Sequence, residues 1–326
     1  MGNKIKKSLK IWFIVGASLA TLGTILFVTV FAIAGWDFNK LSDNPLETNA
    51  YSFTEEITSI SISAYTSDVS IVPSSENETR VECLESSNEK YLVSVKNGIL
   101  TVTADPHVSW YDLITFFSVG SPKITVYLPE NEYKALNIKS STSDVSVSKD
   151  FKFESIDISV GAGSITCNAS ASGCVKLTAS TGDITLSNAS AGSAELKTST
   201  GDITVSNLTD VGSFKVIVGT GDSVLTNVTC TDFTSTGTSG SIEMNNLIAS
   251  GSMSIERNTG DVSFDRCDAK SIKVRTSTGD VTGSLISDKS FFTKSSTGNI
   301  IVPQTVSEEI CEIKTSTGDI ILTIAQ

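Results

Sequence analysis

The chain has 326 residues, 24 Lys+Arg against 36 Asp+Glu, one His and a formal net charge of −12. Lys4, Lys6, Lys7 and Lys10 precede the first acidic residue, Asp37, leaving 20 basic against 36 acidic groups beyond it. Such a surface repels nucleic acid and anionic polymers, and the single histidine, His107, leaves no His-based triad or HExxH site.

Residues 1–10 form a basic tail, and residues 11–34 (IWFIVGASLATLGTILFVTVFAIA) contain no charge. As a helix those 24 residues would span roughly 36 Å, against about 30 Å of hydrocarbon, so residues 11–35 are expected to form one transmembrane helix. Trp12 and Trp36 stand at its two ends, where amphipathic rings favour the interface. The lysines ahead of it put the N-terminus in the cytoplasm and the rest of the chain outside, in a cell membrane. Ala32-Ile33-Ala34 also fits a signal-peptide cleavage pattern, but the apolar run exceeds the usual 7–15 residues. Residues 36–52 read as a short stalk.

Residues 53–135 read as an irregular β region. Within it, residues 93–103 (VSVKNGILTVT) form a hairpin turning at Asn97-Gly98, and residues 123–129 (KITVYLP) a further strand. Between them lies an aromatic insertion, residues 105–122, with Trp110, Tyr111, Phe116 and Phe117. It reads first as a cap over an open sheet edge, and is also a candidate binding site or membrane-interface anchor.

From residue 136 to the end a Ser-Thr-Gly-Asp tetrad recurs. Its last position is held by Asp144, Ser164, Asp183, Asp202, Asp222, Ser241, Asp261, Asp280, Asn299 and Asp319, at intervals of 19 or 20 residues. Asp68 marks an earlier copy, 76 residues or four periods before Asp144. Apolar residues alternate on both sides of each tetrad, as in Val175/Leu177 before Asp183 and Ile184/Leu186 after it. Each repeat is therefore two short half-buried strands joined by a Gly turn. One repeat buries too little to fold alone. Ten stacked at about 4.8 Å per rung make a rod of roughly 45–50 Å, so the fold class is all-β, a β-solenoid. Asn188, Asn207, Asn227 and Asn246, each five residues past the turn, are placed to form an amide ladder. The rung before Ser241 has few apolar residues and should be the weakest.

These TGDI(T/S)(V/L) repeats, the KITVYLP strand and the Lys-rich start with one apolar span resemble the bacterial "putative adhesin" domain family, over about residues 53–326. The resemblance implies an envelope-facing β-solenoid of unestablished function, and it supplies no catalytic residues.

Two chemistries compete for the tetrad column. Asp183, Asp202, Asp222, Asp261 and Asp280 could line up oxygen ligands for Ca²⁺. Alternatively each carboxylate caps its own turn. Ser164, Ser241 and Asn299 can cap but ligate poorly, which favours capping and no cofactor. Of the cysteines, Cys167, Cys267 and Cys311 fall in inward slots, Cys83, Cys174 and Cys230 are less clearly placed, and no two share a slot in neighbouring rungs, so free buried thiols are expected. The chain stops seven residues after Asp319, leaving residues 320–324 as an apparently uncapped end that could pair with a second copy.

Three function classes remain. The first is a non-catalytic, membrane-anchored module that meets an envelope or membrane protein, or senses and modulates envelope stress. The second is a surface adhesin for host or neighbouring cells. The third is a polysaccharide-active enzyme, which would need two carboxylates in unlike environments.

Overall fold

The computed structural model describes residues 2–33, 46–76, 78–86, 89–105 and 121–325. The first element is helix α1 (Gly2–Ile33), 32 residues long. Among the described residues no helix is long and apolar enough to cross a membrane. The expected transmembrane helix is thus not carried by the structure.

Among the described residues the strands all belong to one sheet, wound into a β-solenoid. β2 (Ser59–Ala64) and β3 (Asp68–Pro73) form its first rung, and β8 (Glu132–Thr142) with β9 (Val145–Val147) the next, in parallel register Ile60↔Leu136 and Val69↔Val145. Although Asp68 precedes Asp144 by 76 residues, their two rungs are therefore direct neighbours. Instead β6 (Ile99–Ala104) and β7 (Lys123–Leu128) lie on the outer side of that first rung, pairing with β2 and β3. Antiparallel strands close this end: β5 (Tyr91–Lys96) on β6, β4 (Thr79–Glu85) on β7, and β1 (Glu47–Phe53) on β4. Among the described residues these three strands make the cap. The expected hairpin turns at Asn97 and Gly98, both at positive φ.

From β8 and β9 the rungs follow chain order through β10 (Lys152–Ala162), β11 (Ile165–Cys167), β12 (Ser170–Thr181), β13 (Ile184–Thr200), β14 (Ile203–Thr220), β15 (Ser223–Ser239), β16 (Ile242–Thr259) and β17 (Val262–Thr278). From β13 to β17 each strand continues round a corner into the next rung. Asn188, Asn207, Asn227 and Asn246 bend it there, with φ of 53–55°. Asn tolerates this left-handed region better than other side-chain-bearing residues, which explains why it recurs at that slot. The 19- and 20-residue intervals are reconciled at a second corner: Ser190 and Ser193 stand opposite Thr209 and Ser213, and Asp210, at φ 58°, takes up the extra residue.

The far end departs from chain order. β18 (Val281–Leu285) completes the rung begun in β17. Next to this rung lies not the following segment but the last one, β21 (Ile310–Thr317) with β22 (Ile320–Ile324), in register Ile272↔Cys311 and Val281↔Ile320. β19 (Ser290–Thr297) and β20 (Ile300–Ile301) stack outside them as the terminal rung. Inward composition accounts for the exchange. Cys311, Ile313, Ile320 and Leu322 are all buried, as an interior rung requires, whereas in the terminal rung Thr293 takes the slot opposite Ile313 and tolerates the half-solvated end, with Phe291 and Ile300 opposite Cys311 and Ile320. Residues 320–324 are consequently not an open end: Ile320 is fully buried, and the open edge is β19–β20, with Phe292 60% and Ile301 60% exposed.

Inward residues of both faces merge into one core along the rod, from Ile60 to Leu322. All six cysteines are free, five of them buried and Cys174 exposed. Burial pushes Cys83, Cys230 and Cys311 up to about 12, and Cys167 and Cys267 up to about 11. A native chain at pH 8 should therefore give one equivalent of reaction with a thiol-disulfide reagent, at Cys174, and six after unfolding. More than one native equivalent would contradict the packing. Because the folded state holds these thiols protonated, their contribution to stability is present below the ordinary value of 9 and is lost as pH rises from 9 towards 12.

Candidate functional site

The tetrads form a column of turns along one edge of the rod, and their geometry shows what the repeated residues do. Each turn glycine has positive φ, as in Gly182 (135°), Gly201 (136°) and Gly221 (141°). A Cβ on Gly201 would lie 2.2 Å from the carbonyl oxygen of Gly182 in the rung beneath. Glycine is thus required twice, for its backbone angle and for close stacking.

The acidic residue caps the next turn, not its own. Asp183 Oδ1 accepts from the backbone N–H of Asp202 (2.8 Å), Asp202 from that of Asp222 (2.7 Å) and Asp222 from that of Ser241 (2.7 Å). Ser241 Oγ accepts from Asp261 N–H (3.1 Å), so a serine continues the chain of contacts. Asp261 then accepts from Asp280, Asp280 from Asp319, and Asp319 from Asn299, which follows the exchanged rung order. At the other end Asp68 accepts from Asp144, 76 residues on. Each carboxylate so spends one oxygen on backbone. Among the described residues no group of three or more His, Cys, Asp or Glu is arranged to hold a metal.

Two further ladders run beside this column. Asn207, Asn227 and Asn246 each donate an amide N–H to the Asn one rung below, at 3.0–3.1 Å. Arg266 takes the same slot in the next rung with φ 49° and ends the ladder. The second ladder was not foreseen from the sequence: inward Thr198, Thr276, Thr315 and Ser295 donate hydroxyls to the turn-glycine carbonyl of the neighbouring rung. The recurring Thr or Ser four positions before the tetrad's last residue was its visible signal.

Where the column begins, Glu89 caps the first turn. Its buried carboxylate accepts the backbone N–H groups of Tyr65 (3.3 Å) and Thr66 (2.9 Å) and the hydroxyls of Thr66 and Tyr91. Glu85, also buried, accepts from Asn49 and from the Tyr91 N–H. Both acids are thus consumed by local donors.

The sparse rung before Ser241 is filled from its neighbour. Arg257 points inward and is buried, its Nη2 donating to Ser235 Oγ (3.0 Å) and Ser223 Oγ (3.3 Å). Three inward slots make room for it: Ser223, Ser235 and Gly237, whose added Cβ would fall 1.6 Å from Arg257 Nη1. Burial pulls the guanidinium down to about 10, opposed by Asp222. Nε and Nη1 have no hydrogen-bond partner among the described residues.

A second buried cation sits at the exchanged rungs. Lys289 is fully buried, and its Nζ contacts Asp268 Oδ1 (2.6 Å), Glu309 Oε2 and Ser287 Oγ. No sequence pattern links these residues, which only the exchange of β19 and β21 brings together.

A groove of about 490 Å³ crosses a corner of the rod near its N-terminal end, where Glu56, Glu132 and Glu154 face Lys134 and Lys152. All five are exposed, and none stands in the contrasting environments that acid–base chemistry on a glycan needs. The candidate binding residues Trp110, Tyr111, Phe116 and Phe117 lie outside the described residues.

The family model Toastrack DUF4097 matches residues 57–320. None of the curated proteins is significantly similar to the chain. Among solved structures, a "putative adhesin" from Parabacteroides distasonis is 12% identical, covering 84% of this chain and 98% of its own, with a TM-score of 0.48. A "putative lipid binding protein" from the same species is 13% identical, covering 87% and 98%, with a TM-score of 0.39. A "putative adhesin" from Parabacteroides merdae is 11% identical, covering 85% and 97%, with a TM-score of 0.40. At such identities these structures say nothing about what this chain binds.

Proposed function

Because the chain belongs to the Toastrack DUF4097 family, we propose that it is a non-catalytic module held at the cell membrane by α1, with the solenoid outside meeting an envelope or membrane protein. The observation that carries this reading is the apolar surface of α1. Trp12, Ile14, Leu19, Leu22, Ile25, Leu26 and Val28 are all exposed, and at 100° per residue they are spread around most of the helix. The stretch of α1 from residue 11 on carries no charge, and an apolar surface of that kind needs lipid or a partner for cover. Lys4, Lys6, Lys7 and Lys10 in its first turns set its direction, N-terminus in the cytoplasm.

In this reading the Asp column is a structural cap and no cofactor is needed. The outer faces, polar and mixed in charge, are the partner surface, and the described groove belongs to them. The exposed edge β19–β20, rather than β22, is where a second copy would pair.

The test is crosslinking of the full chain in living cells of its own source, with labelling of Cys174 by a membrane-impermeant maleimide. External labelling together with captured integral-membrane proteins is expected. Recovery of wall glycan or foreign surface molecules alone would replace the reading with an adhesin. Failure of Cys174 to label from outside, although it labels in lysed cells, would overturn the orientation.

A further inference from the structure

From the Lys289 cluster we infer a covalent modification site: an intramolecular isopeptide bond between Lys289 Nζ and Asp268 Cγ, formed by the protein itself. The amine is fully buried, though lysine is seldom buried without a partner. Its Nζ lies 2.6 Å from Asp268 Oδ1 and in contact with Glu309 Oε2. Proximity of this kind turns a bimolecular condensation into an internal one, with a large gain in effective concentration.

The surrounding groups supply the proton path. Ser287 Oγ lies 2.9 Å from Asp268 Oδ1 and 3.0 Å from Glu309 Oε2, so its one hydroxyl proton can be donated to either carboxylate and the oxygen stands between them. The Ala269 backbone N–H donates to Asp268 Oδ1 at 2.9 Å. Lys289 holds the Glu309 carboxyl below its usual range by hydrogen bonding, which keeps it ionised as a base should be.

The step balances without any co-reactant. Glu309 takes one proton from the Lys289 ammonium, and the freed amine attacks Asp268 Cγ. Glu309 returns that proton through Ser287 to Asp268 Oδ1. The nitrogen gives up a second proton to the same oxygen as the C–O bond breaks. Ammonium and carboxylate become one amide and one water, Asp268 Oδ2 remains as the amide carbonyl, and Glu309 ends as it began.

The location gives the bond a purpose. Asp268 is on β17, Lys289 precedes β19 and Glu309 precedes β21, so the link ties the displaced terminal rung to the body of the rod. With all six thiols free, no disulfide does this.

The experiment is the intact mass of the full chain, purified in detergent and denatured, followed by peptide sequencing. A deficit of about 18 Da, one water, and a branched peptide joining Asp268 to Lys289 are expected. Glu309→Gln keeps the side-chain shape but removes the base, and should restore the full mass while the strand circular dichroism is retained. An unmodified wild-type mass would overturn the proposal. So would an 18 Da deficit without the branched peptide, which marks a succinimide, or a deficit that persists in Lys289→Arg.

Discussion

Gly201→Ala is expected to destabilise the chain by about 3–4 kcal/mol, more than any single change to the charged column. Its Cβ would meet the Gly182 carbonyl oxygen at 2.2 Å, and backbone on backbone cannot move aside without separating two rungs. The residue also sits at φ 136°, where an L side chain is strained in any surroundings. By contrast, Asp202→Ala loses one exposed hydrogen bond, to the Asp222 N–H, and should cost about 1 kcal/mol because water can replace it. Because the rungs contact only their neighbours, a defect at Gly201 should also split unfolding into two steps, one for each side of the break. Urea unfolding of the chain in detergent, followed by strand circular dichroism, reads both effects. Equal losses for the two variants would mean that stacking distance does not govern the turn column.

The second large effect is a coupling between Gly237 and Arg257. Gly237 lies outside the positive-φ set, so alanine there carries no backbone penalty and would by itself gain about 0.4–1 kcal/mol. With Arg257 present, the added Cβ would fall 1.6 Å from Nη1 and push a buried guanidinium off its serine partners. Gly237→Ala alone should therefore cost about 2–3 kcal/mol. Arg257→Met should be neutral or stabilising, because a buried charge with two unpartnered N–H groups gives way to an apolar chain of similar length. In the Arg257→Met background, Gly237→Ala should change sign and become neutral or favourable. A double-mutant cycle measures this, and simple additivity of the two changes would remove the account of the polar core slot.

Much of this protein is legible from residue spacing alone. The 19–20-residue interval announces the solenoid, because a parallel stack repeats the same inward slot once per turn, and the alternation around Asp183 or Asp202 separates core from surface. The asparagine ladder is equally visible: Asn188, Asn207, Asn227 and Asn246 share one slot, and only a stack makes such a column useful. The inward threonines were there to be read too, though a hydroxyl in an apolar alternation passes easily for an outward residue.

The candidate sites were less legible, because they depend on contacts between rungs. A single repeat cannot say whether Asp202 caps its own turn or the one above, since both turns look alike in sequence and only the stacking direction separates them. Glu89 bears no mark of its work as the first cap, because the connection from β4 to β5 that carries it belongs to no repeat. Arg257 looks like a break in the pattern until Ser223, Ser235 and Gly237 are seen beside it. Lys289, Asp268 and Glu309 come together only because β21 lies inside β19.

Local pattern thus determined the fold class, the turn column, the Asn corners and most inward positions, all of which follow from periodicity and side-chain size. Tertiary structure decided the order of the rungs at both ends, the direction of capping and the two buried cations. Rung order is a competition for burial between whole segments: Ile313 gains more from the interior than Thr293, which stands opposite it, would, and no single segment carries that comparison.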